Sequence, residues 1–230
     1  MVKDKNFGAY IHQLREKRNV VLEVLADGVC DFAKLSRIEN GKVEAEKLLR
    51  DRLLGRLGVA PENYENFLYY SEYKGWRERQ DIVQCILHRR LQEARTLLEE
   101  YKNTYSMEKP LEYQFYLSMW GQIRRLEGAD KKELCDIFQE ALQLTVGKLT
   151  REELKKRMLS VEEMNLLLEY VFCSEEESLM NWCEGFLAYI KKLQLDKLAL
   201  SKIYPKAFGK GYGENAFHLK RFSPLFIILL

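Results

Sequence analysis

Residues 22–42 read LEVLADGVCDFAKLSRIENGK, and this stretch decides the fold of the N-terminal part of the chain. Its apolar residues form two short stripes at helical spacing, which are interrupted around Gly28. A glycine there supplies the left-handed backbone that a tight turn needs, and Asp31 stands where a side chain caps the start of a second helix. Asn40 and Gly41 then close that helix. The stretch therefore predicts a helix-turn-helix motif.

The same stretch carries a resemblance to a known family. LADGVC at residues 25–30, followed by LSRIENGK at residues 35–42, closely resembles the helix-turn-helix of the xenobiotic-response-element regulators, the group that includes the lambda and 434 repressors and Cro. The resemblance covers about the first 68 residues. It implies a compact five-helix, repressor-like domain whose second motif helix enters the DNA major groove. The other interpretation, a helical hairpin that only packs, stays open.

Length and composition set the fold class. A chain of 230 residues forms one large domain or two modest ones. Its 47% apolar residues suffice for a core, and only 4 Pro and 13 Gly favour helix almost throughout. We expect an all-α chain with a DNA-binding domain at residues 1–68 and a helical domain at residues 69–204.

A short motif recurs within the second of these domains. LQEA at residues 91–94 is matched by FQEA at residues 138–141, an offset of 47 residues, and a long helix carrying Trp76 or Trp120 precedes each copy. A small residue in such a helix lets two helices approach closely. The pattern resembles degenerate tetratricopeptide repeats, which implies a right-handed array of helix hairpins.

The last residues, 205–230, do not fit a helical array. Pro205 and GKGYG at residues 209–213 interrupt the pattern, and PLFIILL closes the chain as an apolar run too short to span a bilayer. We expect an irregular tail. A truncation, a change of reading frame, and a segment that tucks into the last repeat all remain open.

Charge and cysteine content indicate what the protein can bind and in which compartment it lies. The net charge is +2, and residues 1–68 hold 12 Lys and Arg against 11 Asp and Glu, so DNA binding depends on which face carries the cations. Five widely separated cysteines in apolar stripes indicate reduced core residues. The N-terminus lacks the apolar run of a signal peptide, so we expect a cytoplasmic protein without a membrane segment.

No convergent set of polar groups indicates catalysis. His12, His88 and His218 lie in unrelated contexts, and the glycines of GKGYG lack the strand and helix of a phosphate-binding loop. No Cys or His spacing supports zinc. We therefore expect no enzyme activity, no catalytic residues, no cofactor and no metal.

Helix geometry and the resemblance together assign the DNA-reading residues. Leu35 and Ile38 should point inward, which turns the other side of the second motif helix outward. By resemblance to the phage repressors, four residues face base edges: Asp31, Phe32, Ala33 and Arg37. Arg37 would bind guanine, Phe32 and Ala33 would meet thymine methyl groups, and Asp31 would accept from cytosine or act only as a helix cap. Phosphate contacts are expected from Lys34, Ser36, Asn40 and Lys42, and from Arg15.

Two positions depart from the family pattern. Where these regulators commonly have a capping Thr and a phosphate-binding Gln, this chain has Val21 and Leu22. With the near-neutral N-terminal domain, this keeps an alternative function open, in which a degenerate helix-turn-helix and the repeats form a protein-interaction module without enzyme activity.

The combination of a repressor-like domain with tetratricopeptide-like helices resembles the peptide-sensing regulators of the Rgg and PlcR type. The resemblance implies a DNA-binding transcription regulator that is a homodimer and that binds a short signalling peptide in the groove of its helical domain. Three amides in apolar helix faces are candidate peptide ligands: Gln114, Asn165 and Asn181. Their other interpretation is as ordinary amides of a helix surface.

Overall fold

A computed structural model describes residues 5–63, 70–147, 151–154, 156–174 and 179–203. Within these ranges the chain is helical and contains no strand, so the expected all-α fold class is confirmed. None of the helices in them is both long and apolar enough to cross a bilayer. The predictions for the tail at residues 205–230 lie outside the described residues.

The N-terminal domain, which we call the head, is built from short helices. They are α1 (Lys5–Lys17), α2 (Leu22–Ala26), α3 (Phe32–Glu39), α4 (Lys47–Arg56) and a 3-10 turn (Pro61–Asn63). Four of the five expected elements are α-helices. The fifth is a 3-10 turn that begins at Pro61, and residues 64–69 lie outside the described part of the chain.

The local turn chemistry of the motif is the one that its sequence predicts. Gly28 between α2 and α3 has φ +72°, and Gly41 after α3 has φ +66°. The Asp31 carboxylate caps α3, because its Oδ1 accepts from the Lys34 backbone N–H at 2.7 Å. The backbone from α2 to Gly41 is therefore fixed by two left-handed glycines and one side-chain cap.

The remaining helices form the second domain, which we call the body. They are α5 (Tyr70–Leu87), α6 (Leu91–Thr104), α7 (Pro110–Leu126), α8 (Lys131–Gln143), α9 (Arg151–Leu154), α10 (Val161–Cys173), α11 (Leu179–Lys192) and α12 (197–203). Helix α5 packs on α6, α7 packs on α8, and α10 packs on both α8 and α11. Successive helices of the body thus form hairpins.

The predicted repeat length of 47 residues is wrong. Helices α6 and α8 begin at Leu91 and Lys131, so these equivalent helices of the two hairpins begin 40 residues apart. The shared motif lies at the start of α6 but near the end of α8, so Ala94 and Ala141 are not equivalent positions. The close approach of α7 to α8 occurs at Gly121, where an added Cβ would lie 2.6 Å from the Phe138 ring.

Each domain has its own apolar core. The head core gathers around Ile11, Leu25, Leu35 and Leu53, and the body core runs from Ala60 to Ile203. The cysteines at 30, 85, 135 and 173 form no disulfide, as expected, whereas the side chain of the fifth lies outside the described residues.

Three glycines of the head lie directly against the body. An added Cβ would lie 2.1 Å from the Thr145 carbonyl oxygen at Gly28, 2.8 Å from the Ser160 Cβ at Gly55, and 2.8 Å from the Gln194 carbonyl oxygen at Gly58. Backbone bonds reinforce this contact, since Asp196 N–H donates to Gly58 O at 2.8 Å. The head is therefore docked on the body through backbone contacts that a side chain would obstruct.

Gly28 and Gly41 offer a matched test of this docking. Both have positive φ, but only Gly28 lies against another group, since nothing is within 4 Å of a Cβ at Gly41. We expect Gly41→Ala to lower the free energy of unfolding by about 1–2 kcal/mol, the cost of a left-handed alanine. Gly28→Ala should lower the free energy of unfolding by more, because the Thr145 backbone must also move.

Urea unfolding of both variants measures this difference. Equal losses in Gly28→Ala and Gly41→Ala would mean that the turn of the motif does not press against Thr145.

Candidate nucleic-acid interface

Helix α3 is half buried and half open along its length. Leu35 and Ile38 are buried in the head core, as predicted, whereas Phe32 is 59% exposed. The predicted base-reading residues are all exposed: Asp31, Phe32, Ala33 and Arg37. Of the predicted phosphate-binding residues, Asn40 and Lys42 are exposed, and Lys34 and Ser36 are half-buried. The outer edge of α3 therefore stays accessible while the head is docked on the body.

Two polar side chains of this edge are already used within the helix. Asp31 caps its N-terminus through the Lys34 N–H, and Asn40 Nδ2 donates to the Ser36 carbonyl oxygen at 2.8 Å near its C-terminus. These bonds satisfy backbone groups that a helix end leaves open. They also hold the two side chains at the ends of α3, on either side of Arg37.

An ion pair fixes α3 against α1. Glu39 is nearly buried and accepts from Arg15 Nε at 2.7 Å and from Arg15 Nη2 at 2.9 Å, while His12 Nδ1 lies 2.8 Å from its Oε2. Arg15 also donates to the Val20 carbonyl oxygen at 2.8 Å. The expectation that Arg15 contacts phosphate is therefore wrong, because its guanidinium is buried and bonded inside the head. No local pattern predicts this pair, because its partners are 24 residues apart along the chain.

The charges of the head are segregated. Five of its cations are bonded to carboxylates: Arg15 to Glu39, Lys47 to Asp51, Arg50 to Glu72, and Arg52 and Arg56 to Glu163. By contrast, Lys34, Arg37 and Lys42 form no ion pair with any described residue. The net charge of the head is therefore near zero although one edge carries three unpaired cations. Such a distribution of charge attracts a polyanion.

The side chains preceding α3 are apolar where the family pattern is polar. Val21 is 56% exposed and makes no capping hydrogen bond at the start of α2, and Val24 is 38% exposed. The capping contact expected of a Thr is therefore missing, as the sequence indicated.

A buried charge cluster joins the head to the body, and sequence reasoning missed it. Glu163 of α10 is fully buried and accepts from Arg56 Nη2 at 2.7 Å, while Arg52 Nη1 lies 3.0 Å from it. Burial alone would raise the pKa of Glu163, but the two guanidinium groups and the Ser160 N–H hold that pKa well below its usual range. The only sequence signal was the Ser160-x-x-Glu163 capping box, which predicts a helix start and not a partner in the head.

A cleft of about 480 Å³ opens beside this cluster. One wall is Glu23, Val24 and Asp27 of the head. The other is made of residues of the body, namely Thr145, Val146, Glu153, Lys156, Arg157, Met158 and Leu159. Arg157 of the body forms an ion pair with Asp27 across the cleft. The cleft therefore separates two domains that charged contacts hold together.

Two of the three candidate peptide-binding amides, Gln114 and Asn165, are buried. Gln114 is buried, and its Nε2 donates to the Ala141 carbonyl oxygen and to Thr145 Oγ1, both at 2.8 Å. Asn165 is buried in α10, and the side chain of Asn181 lies outside the described residues. Gln114 thus binds groups of the body itself, so the geometry gives it no place in an open groove.

Comparisons with known proteins assign no family. No family model matches the sequence, and no curated protein matches it. The structure is similar, with a TM-score of 0.37 and 17% identity over 97% of this chain and 79% of the other, to the crystal structure of Bacillus thuringiensis PlcR in complex with the peptide PapR7 and DNA. A similarity of this size assigns neither a family nor a function.

The Arg15 and Glu39 pair makes the stability of the head depend on pH. Burial alone would raise the pKa of Glu39, but the hydrogen bonds from Arg15 and His12 lower it below its ordinary value of 4.5. A lowered carboxylate pKa contributes stability above the ordinary value, and this contribution is lost as the pH falls through the lower value of the folded state. We expect Arg15→Met to cost about 1.5–3 kcal/mol at pH 7, and the cost to shrink at acid pH.

Unfolding in urea at several pH values measures this cost. Arg37→Met is the matched control, because Arg37 is exposed and unpaired, and its replacement should change stability by less than ~0.5 kcal/mol. A cost of Arg15→Met that is independent of pH would exclude the ion pair as its cause.

Proposed function

We propose that the chain is a sequence-specific DNA-binding transcription regulator that reads the major groove with the outer edge of α3. The observation that carries this proposal is the contrast within the head: its other described cations are mostly paired, whereas Lys34, Arg37 and Lys42 remain unpaired on one edge. An exposed helix edge with free cations, set on a helix-turn-helix backbone, matches the shape and charge of the groove.

Base recognition rests on three exposed side chains. Arg37 presents a planar guanidinium that can bond both O6 and N7 of guanine. Phe32 and Ala33, at the start of α3, offer apolar surface to thymine methyl groups. The 59% exposure of Phe32 supports this role, because removing an exposed aromatic ring from water by contact with a methyl group is favourable.

Phosphate contacts set the register of α3 on the duplex. Lys34 and Lys42 carry the free cations for this role, and Ser36 and Asn40 add uncharged donors. Asp31 would accept from cytosine with the oxygen that its capping bond leaves open. All these residues are accessible without any movement of the head.

The regulator would act as a homodimer in the cytoplasm. A recognition helix of eight residues reads few base pairs, and two copies on two half-sites double the recognised sequence. Control by a short peptide or another small ligand in the body is proposed from the sequence resemblance to the Rgg and PlcR type regulators.

One observation favours the alternative function, a protein-interaction module. Val21 and Val24 expose apolar surface beside α3, where DNA phosphates would lie in a repressor complex. Apolar side chains gain nothing from phosphate but stabilise a protein interface. DNA-binding measurements separate the two functions.

Arg37→Ala tests base reading. Using duplexes selected by the wild-type protein from a random-sequence pool, we expect the variant to lose about 1–3 kcal/mol of binding free energy and its selectivity at one base position. Lys17→Ala is the matched control, since it removes the same charge from the exposed end of α1. Equal behaviour of the two variants would exclude Arg37 as a base-reading residue.

Lys42→Ala tests the phosphate role. We expect weaker binding to all duplexes alike, and a slope of log affinity against log salt that is smaller by about 1. Gel-shift titrations over a range of salt concentrations measure the slope. Failure of the wild-type protein to select any duplex would favour the interaction module.

A further inference from the structure

Arg56, the last residue of α4, contacts both domains and uses every N–H donor of its guanidinium group. A guanidinium group carries five N–H bonds. In Arg56, Nε and Nη2 donate to the two Glu163 carboxylate oxygens at 3.1 and 2.7 Å, and Nη2 also donates to the Thr145 carbonyl oxygen at 3.2 Å. Its Nη1 donates to the carbonyl oxygens of Leu25 and Asp27 at 3.1 and 2.6 Å. Arg56 thus holds the body and the turn before α3 at once.

Glu163 supplies the negative charge of this cluster. Arg52 and Arg56 are both buried, and the fully buried Glu163 is the carboxylate within ion-pair distance of both. Loss of its charge would leave two guanidinium groups in a low-dielectric site, which is costly. The cluster is therefore stable only while the head and α10 stay in contact.

The groups that this cluster holds belong to the DNA-binding motif. Leu25 and Asp27 lie in and just after α2, and Gly28 presses on the Thr145 backbone. Thr145 is in turn bonded to Gln114 of α7. A continuous set of polar contacts therefore runs from the body to the turn that precedes α3.

We propose that Glu163, with Arg52 and Arg56, positions α3 for DNA recognition by locking the turn of the motif against the body. The inference rests on the proposed DNA-binding function and extends it. The direction in which α3 presents its outer edge is then set by Glu163 of α10 and by Thr145, which follows α8, and not by the head alone. Glu163 is a positioning residue, because it lies on the docked side of the head and not on the exposed edge.

Glu163→Gln isolates the charge of this contact. A glutamine at the third position of a capping box can still accept from the Ser160 N–H, so the start of α10 is preserved. Hydrogen exchange of the backbone amides at residues 25–31 measures the docking without DNA. We expect exchange there to rise by about 100-fold, the opening expected when a buried ion pair loses one partner, while the amides of α7 keep their protection.

Glu169→Gln is the matched control. Glu169 is also a buried carboxylate of α10 with an arginine partner, since Arg125 Nη2 lies 2.5 Å from it, but that partner belongs to the body. This variant should leave exchange at residues 25–31 unchanged. Unchanged exchange in Glu163→Gln, or an equal rise in α7 that signals global loss of structure, would overturn the proposal.

A second variant separates a charge effect from a loss of packing. Arg52→Met placed in the Glu163→Gln protein removes one of the two unpaired guanidinium groups, so the double variant should recover part of the lost protection. If the two substitutions acted only by removing packing contacts, the double variant would instead lose more protection than either single variant. Lower protection in the double variant than in Glu163→Gln would overturn the charge-based explanation.

The DNA measurement uses the duplexes selected by the wild-type protein. We expect Glu163→Gln to bind them more weakly, while Arg37→Ala reduces affinity by the same factor in both backgrounds, because the exposed edge of α3 is intact. Unchanged affinity in Glu163→Gln would overturn the positioning role. If the wild-type protein selects no DNA, the proposed function fails and the positioning role with it, whereas hydrogen exchange still decides whether Glu163 docks the head.

Discussion

A carboxylate with no exposure to solvent is the constraint on which the arrangement of this chain depends. Glu163 requires cations and hydrogen-bond donors, because an unpaired charge in the protein interior is prohibitively costly. The head supplies them through Arg52 and Arg56, on the side of α4 that faces the body. Head and body are consequently one packed unit, with glycines at the points where their backbones meet.

This docking also determines what the head shows to solvent. Five cations of the head form ion pairs with carboxylates of the head and the body, whereas the cations of α3 form no ion pair with any described residue. A domain with nearly equal numbers of positive and negative residues, 12 against 11, thereby acquires an edge of unpaired cations. Net charge says little about an interface when tertiary contacts neutralise one face selectively.

The body shows how a local motif can mislead about a repeat. Two copies of Gln-Glu-Ala suggest equivalence, yet one lies at the start of α6 and the other near the end of α8. A small residue at any position on the buried side of a helix lets a second helix pack closely. Such a motif therefore does not show which positions of two repeats are equivalent. The true period is visible only from the starts of the paired helices.

The sequence alone determined the local features of this protein. Helical spacing predicted the two short helices of the motif, and turn chemistry predicted the left-handed glycine at 28 and the helix end at Asn40 and Gly41. It also predicted that Leu35 and Ile38 are buried, which leaves the other edge of α3 outward. These features depend on residues a few positions apart, whose spacing is visible along the chain.

Only the tertiary structure decided which charges are free and where the head lies. Glu163 and Arg56 are 107 residues apart, and Arg15 and Glu39 are 24 apart, so no local pattern links the partners. The burial of Gln114 and the loss of Arg15 as a phosphate ligand follow from the same kind of contact. Pairing of charges depends on which surfaces are packed together, and that is a property of the whole fold.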